Sequence, residues 1–220
     1  YNGTDFYVFR PVKDDKNSLY NNNIGTICGD KQGHIYIRCK YAVVEYDIKK
    51  NTFHTIRDND IQAISYGNTQ LWVCTRDSLF TYNRVEDKLD YYYNLEGARM
   101  SCVIEDSDGN LYVGTMNNGL YMIDGNKKWL NYLPKKDITC IYEDSKKSIW
   151  VGTKDDGLFR LDRNGGITNY GTAPHQNMLS SSYVRCIVED NLGNYWIGTF
   201  KGLDKLNAAT GTFTHYSKDN

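Results

Sequence analysis

Ile104-Glu105-Asp106-Ser107-Asp108-Gly109-Asn110-Leu111-Tyr112-Val113-Gly114-Thr115 returns twice further along the chain. The second copy is Tyr142-Glu143-Asp144-Ser145-Lys146-Lys147-Ser148-Ile149-Trp150-Val151-Gly152-Thr153. The third is Val188-Glu189-Asp190-Asn191-Leu192-Gly193-Asn194-Tyr195-Trp196-Ile197-Gly198-Thr199. Leu71-Trp72-Val73-Cys74-Thr75 keeps only the second half, and Asp30-Lys31-Gln32-Gly33-His34-Ile35-Tyr36-Ile37-Arg38-Cys39 is a degenerate fifth copy. Aligned on the aromatic position, Tyr36, Trp72, Tyr112, Trp150 and Trp196 fall 36, 40, 38 and 46 residues apart. A period near 40 with strand-like content marks the four-stranded blades of a β-propeller.

Each unit divides into four short strands, A to D, separated by turn signals. In the third unit these are 100–105, 111–115, 120–124 and 129–132, with Asp106-Ser107-Asp108-Gly109-Asn110, Asn117-Asn118-Gly119 and Asp124-Gly125-Asn126 between them. The fourth unit repeats the pattern at 138–143, 149–153, 158–162 and 167–170. No stretch holds a 3.6-residue period, so helix should be scarce. Tyr36, Trp72, Tyr112, Trp150 and Trp196 are expected to fill the space between blades. Gly114, Gly152 and Gly198 leave room for a close approach. Gly119, Gly157 and Gly202 open strand C, where a positive φ is expected. The acidic residue ending strand A should close its own turn through the backbone.

These units place blades at 23–56, 60–93, 99–132, 137–170 and 183–216, all in one segment spanning 1–220. The run Phe6-Tyr7-Val8-Phe9 reads as an additional D strand at 5–10, and it is surplus, because the fifth unit ends in its own strand at 212–216. The chain therefore reads as part of a larger seven-bladed or tandem propeller, with a closed five-blade ring as the alternative. Open blades expose apolar faces and sheet edges, which invites a homodimer.

Composition narrows the function. With 26 Lys and Arg against 27 Asp and Glu, the net charge is −1, so no overall field draws the chain to nucleic acid or an anionic membrane. No window is long and apolar enough to span a bilayer, and Tyr1-Asn2-Gly3-Thr4 has no signal-peptide pattern. It reads as a mature segment of something longer. The six cysteines form no CxxC pair and have no His at ligand spacing, so neither a metal nor a cofactor is expected. Cys102, Cys140 and Cys186 hold one position in three units, and all the cysteines read as unpaired core side chains.

The composite of Asn17-Ser18-Leu19, Val184-Arg185-Cys186-Ile187-Val188-Glu189-Asp190, Gly193-Asn194-Tyr195-Trp196-Ile197-Gly198-Thr199, Gly202-Leu203 and Phe213-Thr214-His215-Tyr216 resembles the two-component regulator propeller of Bacteroides-type hybrid sensors. Residues 17–56 and 98–216 match well, and 57–97 loosely. The resemblance implies a periplasmic sensor region of an inner-membrane protein. In that family tandem seven-bladed propellers precede an Ig-like domain, a membrane helix, a histidine kinase, a receiver and a DNA-binding module. The family's sensors answer to oligosaccharides. The kinase parts lie outside these 220 residues, so the segment itself is expected to be non-catalytic. Its expected partners are an oligosaccharide or other small extracellular ligand, the remaining blades and the membrane-proximal domain of the same parent.

The D–A and B–C loops of a propeller converge on one rim, where ligands bind. The B–C loops supply Arg76, Asn117, Lys154, Asp155, Phe200 and Lys201, and the D–A side supplies Arg99, His175, Tyr183 and Arg185. This set offers bidentate polar groups and aromatic faces, the two features a sugar needs. Gly171–Ser182 is the longest insertion. The rivals are a protein-interaction scaffold and a carbohydrate-active enzyme with paired rim carboxylates. For the latter, Asp155-Asp156 and Asp77 are the residues to consider. Neither a G-x-S-x-G elbow nor a phosphate-cradling glycine loop is present.

Overall fold

A computed structural model describes residues 6–171 and 178–217 as two compact units, Tyr1–Leu95 and Glu96–Asn220. All regular structure among them is strand, and no helix is long and apolar enough to cross a membrane. The first unit holds two blades: β1 (Ile24–Gly29), β2 (His34–Cys39), β3 (Ala42–Asp47) and β4 (Thr52–Arg57), then β5 (Ala63–Tyr66), β6 (Leu71–Cys74), β7 (Ser78–Asn83) and β8 (Lys88–Asn94). The second unit holds three. Blade 3 is β9 (Arg99–Glu105), β10 (Leu111–Met116), β11 (Leu120–Ile123) and β12 (Trp129–Asn131). Blade 4 is β13 (Ile138–Glu143), β14 (Ile149–Thr153), β15 (Leu158–Leu161) and β16 (Ile167–Tyr170). Blade 5 is β17 (Val184–Glu189), β18 (Tyr195–Thr199), β19 (Gly202–Leu206) and β20 (Phe213–Tyr216). Every sheet is an antiparallel meander of four strands in sequence order.

The turn chemistry explains why the strands stop where they do. Past the end of strand A, Asp30, Asp106, Asp144 and Asp190 each accept backbone N–H bonds two and four residues ahead, at 2.7–3.0 Å. This is the expected Asx-type closure. The residue that makes it is the aspartate beyond the strand, however, and the strand-ending glutamate does something else. Glu143 accepts from the backbone N and Oγ of Ser107 in blade 3, both at 2.8 Å. Glu189 does the same to Ser145 in blade 4, at 2.7 and 2.8 Å. Glutamate reaches one carbon further than aspartate, so it fastens blade to blade while aspartate closes the local turn. At the other end of the A–B hairpin, buried Thr115 and Thr153 donate to the carbonyls of Gly119 and Gly157 at 2.7 and 2.8 Å. Gly119 and Gly157 adopt φ of 92° and 79°, as expected.

The aromatic column fills inter-blade space. Trp150 is fully buried, and its ring lies 4.3 Å from that of Tyr195 in blade 5. In the first unit Tyr36 stacks on Tyr66 of blade 2 at 5.8 Å. The cysteine–glycine pairs lie beside it. Cys102 pairs with Gly114, Cys140 with Gly152 and Cys186 with Gly198 across strands A and B. A Cβ on any of these glycines would come within 2.5 Å of the facing sulfur. The notch so formed is filled by the next blade's first strand residue: Ile138 over Gly114, and Val184 over Gly152. Blade 2 solves the same problem with the sizes exchanged, Ala63 facing Cys74.

Two expectations are corrected. The strand at 5–10 is not formed, since residues 6–10 have no strand structure. Instead Phe9 packs its ring on Tyr46 and Phe53 of blade 1, with centroids 4.9 and 5.2 Å away. Phe9 is seated in this way, while Phe6, Tyr7 and Val8 are largely exposed. The surplus D strand thereby disappears. Cys28, Cys39, Cys102, Cys140 and Cys186 are free, as expected, yet Cys186 is exposed rather than core. Among the described residues nothing fills the blade-5 notch as Ile138 and Val184 fill the other two.

Thiol labelling under native conditions should therefore find one fast cysteine. Cys186 is open to reagent, whereas burial pushes the Cys102 and Cys140 thiols up to about 12 and that of Cys28 up to about 11. Cys186→Ser should abolish the fast phase; persistence of that phase would show a different exposed thiol. A second expectation concerns Asp144, which also accepts from Trp150 Nε1 and from the Tyr195 hydroxyl, both at 2.8 Å. Asp144→Ala strands those donors and should lower stability by about 3 kcal/mol or more. Asp190→Ala, which frees Trp196 but no neighbouring tyrosine, should lower it less. Denaturant titration of the two variants gives the comparison.

Candidate functional site

In each of blades 3, 4 and 5 the register of strand A slips by one residue, between positions 100 and 102, 138 and 140, and 184 and 186. The extra residues are Ser101, Thr139 and Arg185. A bulge of this kind turns its side chain away from the ladder. Ser101 and Thr139 use that freedom to bond the next blade, donating Oγ–H to the carbonyls of Ile138 and Val184, both at 2.6 Å. Arg185 uses it differently. Its guanidinium carbon sits 5.2 Å from the ring centroid of Tyr183 and 5.5 Å from that of Phe200.

The two rings are parallel within 3°, with centroids 6.1 Å apart. They are locked together by the backbone, since Phe200 N donates to the Tyr183 carbonyl at 2.9 Å. The same bond recurs in blade 4, where Lys154 N donates to the Asp137 carbonyl at 3.0 Å. Phe200 and Lys201 form the two-residue B–C turn, and Gly202 behind them has φ of 144°. Phe200 is 67% exposed although it is a large apolar side chain. Among the described residues, neither Arg185 nor Lys201 has a carboxylate partner.

The remaining rim residues are placed as follows. Asn117 is held by its backbone N–H on the Asp137 carboxylate. Arg99 pairs with Met116 at the same end of blade 3. Lys154 and Asp155 are exposed in the B–C turn of blade 4. Asp156 is engaged by Lys136 at 2.6 Å, which removes it as a ready partner for Asp155. Arg76 belongs to the first unit, where its backbone N meets the Asp60 carboxylate at 3.4 Å. His175 lies outside the described residues. The structure thus brings Tyr183, Arg185 and Phe200 into contact and leaves the others as separate loop residues. Among the described residues no cluster of three His, Cys, Asp or Glu side chains could hold a metal.

Sequence reasoning missed the residues that stiffen this rim. Asp137 ties the blade-3 and blade-4 turns together, and the Ser182 carbonyl accepts from Gly157 N at 3.0 Å. A signal existed in the repeated dipeptide Asp60-Ile61 and Asp137-Ile138, whose isoleucines are buried. In blade 5 the corresponding dipeptide is Tyr183-Val184, an aromatic ring in place of the tying carboxylate.

No curated protein matches the chain in sequence. In fold it is similar to the extracellular domain of a protein from B. thetaiotaomicron described as a hybrid two component system, BT3049. The TM-score is 0.77 at 20% identity, over 92% of this chain and 29% of that one. The corresponding domain of BT4673 gives 0.75 at 20% identity, over 94% and 30%. Virginiamycin B lyase from Staphylococcus aureus gives 0.73 at 12% identity, over 89% and 70%. At these identities the likeness shows the fold alone, and the chain spans under a third of the length of the two B. thetaiotaomicron domains. The repeat itself is more specific: residues 94–117, 132–155 and 178–201, the segments carrying the A–B hairpins of blades 3, 4 and 5, match the family described as two component regulator propeller.

Proposed function

We propose that this chain is the ligand-sensing segment of a hybrid two-component sensor, exposed to the periplasm, non-catalytic itself, and that it takes an oligosaccharide on the rim of its second unit. The observation that carries the reading is the threefold regulator-propeller repeat, in a fold shared with extracellular domains of hybrid two-component systems. The Tyr183–Phe200 pair supports it locally. A sugar presents an apolar C–H face and a ring of hydroxyls, and exposed aromatic faces beside a donor-rich cation suit both. For such a site to signal, the sugar must favour one packing of the parent protein over another, because equal affinity for both shifts nothing. The expected parent supplies the remaining blades, the membrane-proximal domain and, by pairing of open blade faces, a second copy.

A second reading has one observation in its favour. The fold is also that of a virginiamycin B lyase, so this architecture carries catalysis elsewhere.

Titration calorimetry of the chain, and of a longer protein containing the adjoining blades, against a panel of neutral and acidic oligosaccharides separates these readings. Binding without turnover is expected, and Phe200→Ala should weaken it at least about tenfold, a loss of roughly 1.4 kcal/mol. The melting temperature should stay unchanged because the ring is mostly exposed. Absence of heat with every sugar on the longer protein would refute the sensor reading, and product formation would favour the enzyme.

A further inference from the structure

The geometry points to a carboxylated sugar, a uronic-acid-containing oligosaccharide, as the ligand of the Tyr183–Arg185–Phe200 cluster. The inference rests on the reading that this rim takes a sugar, and adds the chemistry that selects among sugars.

The argument begins with what Arg185 lacks. In blades 3 and 4 the residue at this bulge register spends its side chain on holding the next blade, through Ser101 to Ile138 and Thr139 to Val184. Arg185 makes no side-chain hydrogen bond and no ion pair with any described residue. Its guanidinium lies against the rings of Tyr183 and Phe200. Contact of a guanidinium with an aromatic ring stabilises the charge but uses none of its five N–H donors. The rings also fix the side chain's position, so little rotamer freedom remains to be lost when a partner arrives. What is left is a pre-positioned, donor-only fork, and the group that matches such a fork in the plane is a carboxylate, bound through two parallel N–H···O bonds.

The surrounding charge supports this assignment. The chain as a whole carries −1. At this rim Lys154, Arg185 and Lys201 are all exposed, and none has a carboxylate partner among the described residues. The nearby Lys136 and Asp156 neutralise each other. Asp155 and Asp137 at the same turns offset two of these three cations, and the balance remains cationic, opposite in sign to the molecule. A neutral sugar would satisfy the aromatic faces and leave that excess uncompensated. A uronate places its carboxylate beside a pyranose face of the same size, so one residue can meet ring and fork together.

The test uses calorimetry on the whole chain with uronate trisaccharides of the galacto and gluco series, their neutral counterparts and a sulfated galactotriose. A uronate should bind, with affinity that falls as salt is raised. Arg185→Gln should weaken it at least about tenfold, and Arg185→Lys by less, since charge is kept and the fork lost. Neither change should affect the melting temperature, and neither should change binding of a neutral sugar by a comparable factor. If neutral sugars bind as well as uronates and Arg185→Gln is silent while Phe200→Ala abolishes binding, the carboxylate assignment falls and the sugar-sensing reading stands. Binding of the sulfated sugar without the uronate also overturns the assignment. If no sugar of any kind binds the chain or the longer protein, both readings fail together.

Discussion

Asp144 is 5% exposed, and its carboxylate accepts four hydrogen bonds: from the backbone N–H of Lys146 and Ser148, from Trp150 Nε1, and from the hydroxyl of Tyr195. A buried carboxylate is costly unless its lone pairs are met by donors, and here one group meets that condition while joining three levels of structure. The two backbone bonds shape the A–B turn, the indole bond sets the large aromatic filler, and the tyrosine bond attaches the following blade. The repeat can vary widely elsewhere because these donors converge on one acceptor. Asp190 repeats the arrangement in blade 5 with Leu192, Asn194 and Trp196. Burial pushes its carboxyl up, yet the hydrogen bonds from Asn194 and Trp196 outweigh that and hold it at about 2. This closure stabilises the fold above the ordinary carboxylate range and is lost as pH falls toward 2.

Around this centre blades 3 and 4 offer their successors the same set of attachments. A serine in the A–B turn meets a glutamate carboxylate, a hydroxyl at the bulge meets a backbone carbonyl, and a cysteine–glycine notch receives a β-branched side chain. Blades 3 and 4 use all three. In blade 5 the notch residues persist as Cys186 and Gly198, but the serine position is Asn191 and the bulge residue is Arg185. The bulge is the informative difference. Once a side chain at that position is released from joining blades, a long cationic side chain there can lie against both rings of its own rim, as Arg185 does. One irregularity in the ladder thus joins blades through Ser101 and Thr139 and turns Arg185 to the rim.

The strands were legible because their boundaries are set by local chemistry. Aspartate two residues before an N–H, glycine at positive φ and alternation of apolar residues are all within the reach of a few positions, and the observed edges of blades 3 and 4 fall within one residue of those expected. What was not legible depends on neighbours distant in sequence. Phe6–Phe9 has strand composition, and only the presence of Tyr46 and Phe53 beneath Phe9 gives it another role. Cys186 shares its repeat position with Cys102 and Cys140, and its exposure follows from what covers it rather than from its own surroundings in the chain. The same distinction divides the rim. Tyr183, Arg185 and Phe200 meet because the A–B ladder of one blade brings residues 184 and 199 into register. Lys154 occupies the equivalent turn of blade 4, with Ile138 and Thr153 in the same register, but Asp137 and Thr139 stand there in place of Tyr183 and Arg185, so no ring cluster forms.

The stiffness of the rim bears on how recognition there could be transmitted. Phe200 and Tyr183 are joined by a backbone hydrogen bond, Asp137 ties adjacent turns, and Ser182 fastens the blade-5 entry to Gly157. Among the described residues a ligand meeting this surface has few loops to order, so little of its binding free energy is consumed there by loop ordering. It also has little local motion to bias. Coupling from this site would therefore have to come from a ligand that contacts the rim together with a second body, making interactions in one arrangement that it cannot make in another. That requirement favours an extended ligand over a monosaccharide. One residue can occupy the Tyr183–Arg185–Phe200 cluster, and the differential contacts must come from the residues that project beyond it.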